Sequence, residues 1–169
     1  MNAAIFFDFE TSGLPLYSEP SGDPRQPHIV QLGVKLVDMI TRTTLQAVDI
    51  IVRPNGWEIP KEVSDIHGIT TEMAYDLGVP EEAVTEILLE LWRPEAPRLR
   101  IAYNEPFDAR IMRIALKRHF GDELADTLLV ERLERVLRDD LAVDVRAEEA
   151  QLSVVTRDAD AGLREVVRA

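Results

Sequence analysis

Apolar and polar positions divide the chain into a front half with a period near two and a back half with a helical period. Residues 3–9 (AAIFFDF), 29–38 (IVQLGVKLVD) and 45–54 (LQAVDIIVRP) are short runs rich in Val, Ile and Phe, and they predict strands. Between the first two lies ETSGLPLYSEPSGDPRQP (10–27), whose four prolines and two glycines predict a long surface loop. A short polar link joins the second and third strands as a hairpin, and a Pro- and Gly-punctuated segment follows at 54–60. From Pro80 the spacing of Val84, Ile87, Leu88, Leu91 and Trp92 predicts a helix over 80–92, opened by Pro and two acids. LRIAYN (99–104) reads as a further strand, followed by a helix over about 106–119 that stops at Gly121. Leu124, Leu128, Leu133 and Leu137 predict another helix over roughly 122–138, and DADAGLREVVRA a short terminal one. Strands followed by helices, with one more strand between them, suggest a mixed sheet covered by helices.

At 169 residues, 46% hydrophobic and 30% charged, the chain is expected to be one globular domain spanning 1–169. No run reaches the length of a membrane span and the N-terminus lacks a basic flank, so the expectation is no membrane association and a cytoplasmic location. The absence of cysteine excludes disulfides and thiolate metal sites, which leaves oxygen ligands and the histidines His28, His67 and His119. A formal charge of −12 argues against a nonspecific nucleic-acid coat protein and serves solubility. It leaves room for an enzyme that holds one strand end in a pocket whose positive charge comes from metal ions.

The first strand carries a contradiction. Asp8 and Glu10 alternate with Phe7 and Phe9, so two carboxylates share one face of an otherwise apolar strand. Side by side and partly buried they repel, unless the strand end is exposed, one proton is shared, or a divalent cation sits between them. With their Cβ atoms roughly 6.6 Å apart, one metal can bridge them. A structural acidic strand end is the competing reading. In IAYNEPFDARIM (101–112) Asn104 can cap the following helix and Asp108 falls in its first turn, where the helix dipole favours a carboxylate. Alone, Asp108 reads as an ordinary capping acid; with Asp8 and Glu10 it supplies a third acid to a hard-metal site.

D-x-E-T-x-G-L followed by N-x-x-F-D resembles the first two motifs of the DnaQ-like, or DEDD, 3′–5′ exonucleases. That group includes the proofreading subunit of bacterial DNA polymerase III and several RNA exonucleases. The resemblance runs from residue 3 to about 120 and takes in IPKEVSDIHGIT, which is similar to the loop before the family's first long helix. It implies an α/β, ribonuclease H-like fold, with a five-stranded mixed sheet flanked by helices. It also implies that Asp8, Glu10 and Asp108 bind two Mg²⁺ or Mn²⁺ ions, that Thr11, Gly13 and Leu14 contact the terminal nucleotide, and that Asn104 and Phe107 support the second motif. Glu62 and His67 would lie near the bound nucleotide; the alternative for His67 is a turn histidine packed beside Gly68. The implied substrate is the 3′ end of single-stranded or frayed DNA, with RNA second, and the implied partner is a DNA polymerase. Two hard cations suit the chemistry, because phosphodiester hydrolysis builds charge on both the attacking and the leaving oxygen.

The family completes its site with a third motif, an Asp preceded by a His five residues earlier or a Tyr four residues earlier. The best match is Asp160, 52 residues beyond Asp108, with Asp158 second. Val155 and Thr156 stand where the base belongs, and no histidine follows His119 and no tyrosine follows Tyr103. His119 is about 16 Å along its helix from Asp108, too far to stand in, and suits the helix C-terminus as a cation. Since a general base contributes about 10²–10⁴ in rate, the expectation is a slow nuclease. The alternative is a degenerate module that binds nucleic-acid ends or a polymerase. A third reading takes DFETS as a variant of the aspartyl-phosphate motif D-x-D-x-T, but Glu10 replaces the second acid, Ser12 the threonine, and the hairpin that follows does not suit a parallel sheet.

Overall fold

A computed structural model describes residues 3–92 and 99–127. Its sheet is built from β1 (Ala3–Thr11), β2 (Ile29–Asp38), β3 (Thr44–Ile51) and β4 (Leu99–Ile101), in the order β3-β2-β1-β4. β2 lies antiparallel to β1 and to β3, whereas β4 lies parallel to β1. The helices are α1 (Lys61–His67), α2 (Thr71–Leu77), α3 (Glu81–Trp92) and α4 (Glu105–Phe120), and residues 122–127 are again helical. No helix among the described residues is long and apolar enough to cross a membrane.

Alternation along β1 sends Ile5, Phe7 and Phe9 to one face, where they meet Leu32 and Val34 of β2 and Leu88, Ile111 and Met112 of α3 and α4. The Phe7 ring stands edge-on to Phe9 and to Trp92, with centroids 6.1 and 5.4 Å away. The other face carries a smaller apolar group of Ala4, Phe6 and Ile101, and then the two acids Asp8 and Glu10. The predicted hairpin is present, with Asp38 Oδ1 accepting from the Ile40 and Thr41 amides in its turn.

Four elements depart from expectation. β4 stops at Ile101 rather than 104, because its pairing with β1 ends at Phe6 and the first turn of α4 takes over that edge. β3 stops at Ile51, and Val52 continues only as a single bridge to Val79. The sequence pattern does not predict α1 and α2: each is seven residues long, α1 buries none of them and α2 only Ala74, so neither leaves a periodic stripe. The loop after β1 is also better organised than its composition suggests. Gln26 is buried at its centre, donating from Nε2 to the carbonyls of Leu16 and Pro20 while Oε1 accepts from the Leu16 amide. The fifth strand has no counterpart among the described residues. Most of the predicted 122–138 helix, the terminal helix, Val155, Thr156, Asp158 and Asp160 lie outside them.

Candidate active site

The acids of the first two motifs are brought together by the end of β4. Beyond Phe6 this edge of β1 has no strand beside it among the described residues, and α4 begins there, its Phe107 and Asp108 amides bonded to the Asn104 carbonyl. Asp108 is buried, 1% exposed, beside the Asp8 and Glu10 end of β1. Burial first, and then the charge of Asp8, push its pKa up to about 7; Glu10 adds to this, and the Phe9 backbone amide opposes it. The Glu10 carboxyl is likewise raised, by burial and by Asp8. Three carboxyls that perturb one another from residues 8, 10 and 108 share one site. Asp108 Oδ1 is buried without a hydrogen-bond partner, a costly arrangement for an oxygen that serves no purpose.

A set of carboxylate oxygens suits a hard divalent cation, and an acceptor lacking any donor is how a cation ligand looks before its ion. In this arrangement no group of three or more Asp, Glu or His side chains among the described residues closes tightly enough to hold an ion unaided.

Thr11, Gly13 and Leu14 follow Glu10 directly. Thr11 Oγ1 donates to the Gly13 carbonyl at 2.8 Å, and Leu14 stands 78% exposed. The Asn104 side chain makes no capping hydrogen bond, contrary to expectation; its carbonyl alone serves the helix start. Phe107 packs partly buried against the core and so fixes the turn that carries Asp108. Glu62 is exposed in the first turn of α1. His67 holds the turn role: its Nδ1 accepts from the Ile69 amide at 3.1 Å, next to Gly68 with φ 80°. That bond places the ring proton on Nε2, which is buried without a partner, and burial lowers the His67 pKa.

Two buried polar residues near this end of the sheet carry no clear signal in the sequence. Gln31 lies directly across from Glu10 in the β1–β2 register, donates from Nε2 to Asp49 Oδ1, and leaves its own Oε1 buried and unbonded. Its only signal was one amide in an apolar strand. Glu81, read merely as a helix-start acid, is a buried hub. Its carboxylate accepts from the Ile29 amide, His28 Nδ1, Arg118 and His119 Nε2 at 2.8–3.1 Å. His119 therefore has a specific partner rather than only the helix end. Nothing in the spacing of residues 28, 81 and 118 announces their meeting.

The exonuclease family RNase_T matches residues 5–155. The chain belongs to that family. This exonuclease domain is DnaQ-like and ribonuclease H-like in fold, as the motifs implied. A PolC-type DNA polymerase III from Thermotoga petrophila is 32% identical over 121 residues, 69% of this chain and 8% of the polymerase. Exonuclease I of E. coli, solved in complex with a dT13 oligonucleotide, superposes with a TM-score of 0.58 and 21% identity, over 72% of this exonuclease domain and 25% of that chain. Exonuclease I of Methylocaldum szegediense gives 0.57 and 23%, over 69% and 23%. The exonuclease domain thus spans a tenth or less of the polymerase and about a quarter of the Exonuclease I chains.

Proposed function

We propose that this exonuclease domain removes nucleotides in the 3′–5′ direction from single-stranded or frayed DNA, with RNA a poorer substrate. The reading is carried by Asp108: a fully buried carboxyl with an unbonded oxygen, set against Asp8 and Glu10. Asp8, Glu10 and Asp108, joined by Asp160, would hold two Mg²⁺ or Mn²⁺ ions. When bound, such ions stabilise charge on the attacking and leaving oxygens and help ionise the attacking water. The chain's own residues do the rest. Thr11 and Gly13 shape the segment after Glu10, and exposed Leu14 offers apolar surface to the terminal base. The similarity to a PolC-type polymerase supports a polymerase partner.

The absent base at Val155 and Thr156 favours a second reading, a module that grips an end but scarcely cleaves it. One experiment separates them. A 5′-labelled single-stranded oligonucleotide with Mn²⁺ should yield a descending ladder, abolished by Asp8→Ala and by a 3′-terminal phosphorothioate block, and slower on the RNA of equal sequence. Binding without any ladder at stoichiometric protein would establish the second reading. Neither binding nor cleavage would reject both.

A further inference from the structure

A continuous chain of contacts leads from α3 to the Ser12 end of β1. The β1–β2 register slips between Glu10 and Thr11, where Glu10 faces Gln31 but Thr11 faces Ile29. Such a bulge leaves a residue unpaired and turns the strand aside. The Ile29 amide beside it is taken by Glu81 Oε1 at 2.8 Å, so a side chain from the start of α3 substitutes for a strand partner. The next residue back, His28, donates from Nδ1 to Glu81 Oε2 at 2.9 Å, and its ring stacks on Trp57 with centroids 4.5 Å apart and planes 5° from parallel. The His28 backbone is in turn locked to Ser12: its carbonyl accepts from the Ser12 amide and its amide donates to Ser12 Oγ, both at 2.9 Å. Arg118 closes the assembly from α4, donating from Nη1 to Glu81 and from Nη2 to the Gln26 and Pro27 carbonyls. Ser12 lies between Thr11 and Gly13. Glu81 is 6% exposed and far too occupied to serve as anything but an anchor.

We propose that Glu81 is a positioning residue for substrate binding: through His28 and Ser12 it fixes the Thr11–Leu14 segment against which the terminal nucleotide is held. This rests on the reading that Thr11–Leu14 contacts that nucleotide. A carboxylate is required because four separate donors converge on two oxygens; an amide must turn its own NH₂ toward some of them. Glu10, immediately before the bulge, keeps its strand pairing with β2, so the consequence falls on binding more than on turnover.

Full-length Glu81→Gln, His28→Ala and His28→Asn are compared with wild type at a temperature where circular dichroism shows all of them folded. Glu81→Gln and His28→Ala should raise KM for a single-stranded oligonucleotide at least tenfold while kcat stays within threefold. Titration with deoxythymidine monophosphate should show the same loss in equilibrium affinity. His28→Asn, whose side-chain amide can replace the Nδ1 donor, should recover most of both. A readout independent of substrate is amide hydrogen exchange: protection of the Ser12 amide should fall in Glu81→Gln and His28→Ala and return in His28→Asn. Unchanged Ser12 protection, or a kcat loss without a KM change, overturns the inference. If wild type cleaves and the variants bind as it does, the nuclease reading stands and the positioning role is wrong. If wild type neither binds nor cleaves, both fall.

Discussion

Asp108, in the first turn of α4, and Asp8, toward the C-terminal end of β1, repel each other at the edge where β4 ends, and burial together with that repulsion pushes the Asp108 pKa up to about 7. The ordinary value for an aspartate in an unfolded chain is about 3.9, so the folded state holds a proton that the unfolded state releases. The native state then binds more protons through that window, and stability falls as pH rises from about 4 to about 7. The cost is fully present above pH 7 and absent below pH 4. Asp108→Asn removes it. The variant should melt higher than wild type at pH 8, by a margin that shrinks toward pH 5, while cleavage falls by about 10²–10⁴, equivalent to several kcal/mol of lost transition-state stabilisation. Melting curves across pH, without divalent ions, check the sign.

A cation that offsets this repulsion stabilises the fold by mass action. At a hundred times its dissociation constant the gain is about 2.7 kcal/mol, and for a chain of this size each kcal/mol moves Tm by about 2–4 °C. Mn²⁺ should therefore raise Tm by several degrees at pH 8 and by less at pH 5, with the shift lost in Asp8→Ala. Equal shifts in wild type and variant would show the ion bound elsewhere.

Phe7 is 2% exposed behind the acids, edge-on to Phe9 and Trp92. Phe7→Ala should cost about 3–5 kcal/mol in urea unfolding, because a ring-sized cavity opens between the sheet and α3. Since Phe7 anchors β1 from the face opposite Asp8, residual activity at permissive temperature should fall as well.

With Asp160 taken as the third-motif ligand, the resemblance sets a histidine where this chain has Val155. Val155→His should raise turnover at least tenfold, within the 10²–10⁴ range of general-base assistance, and introduce a rise in rate with pH near 6.5. A single-turnover time course measures it, and an unchanged rate would assign proton removal to another group.

What the sequence made legible was whatever depended on neighbours along the chain. β2 was bounded at 29–38 from its apolar run alone, and Asp8 and Glu10 were assigned one face from the two-residue period. The meeting of Asp108 with that pair came only from the motif order, since nothing local ties residue 108 to residue 8. Glu81 was missed for the same reason: its partners sit at residues 28, 29, 118 and 119, and an acid at a helix start already has an adequate local explanation. Gln26 was lost inside a stretch whose prolines announced a loop but not the buried amide around which it winds.

The parallel pairing of Ala4 with Leu99 has a kinetic meaning. Ninety-four residues separate the two along the chain, and pairing over such a span is slow. A nascent fragment that stops short of β4 already bears Asp8 and Glu10, yet lacks the element that delivers Asp108. Assembly of the acid trio thus waits for the segment that follows β4.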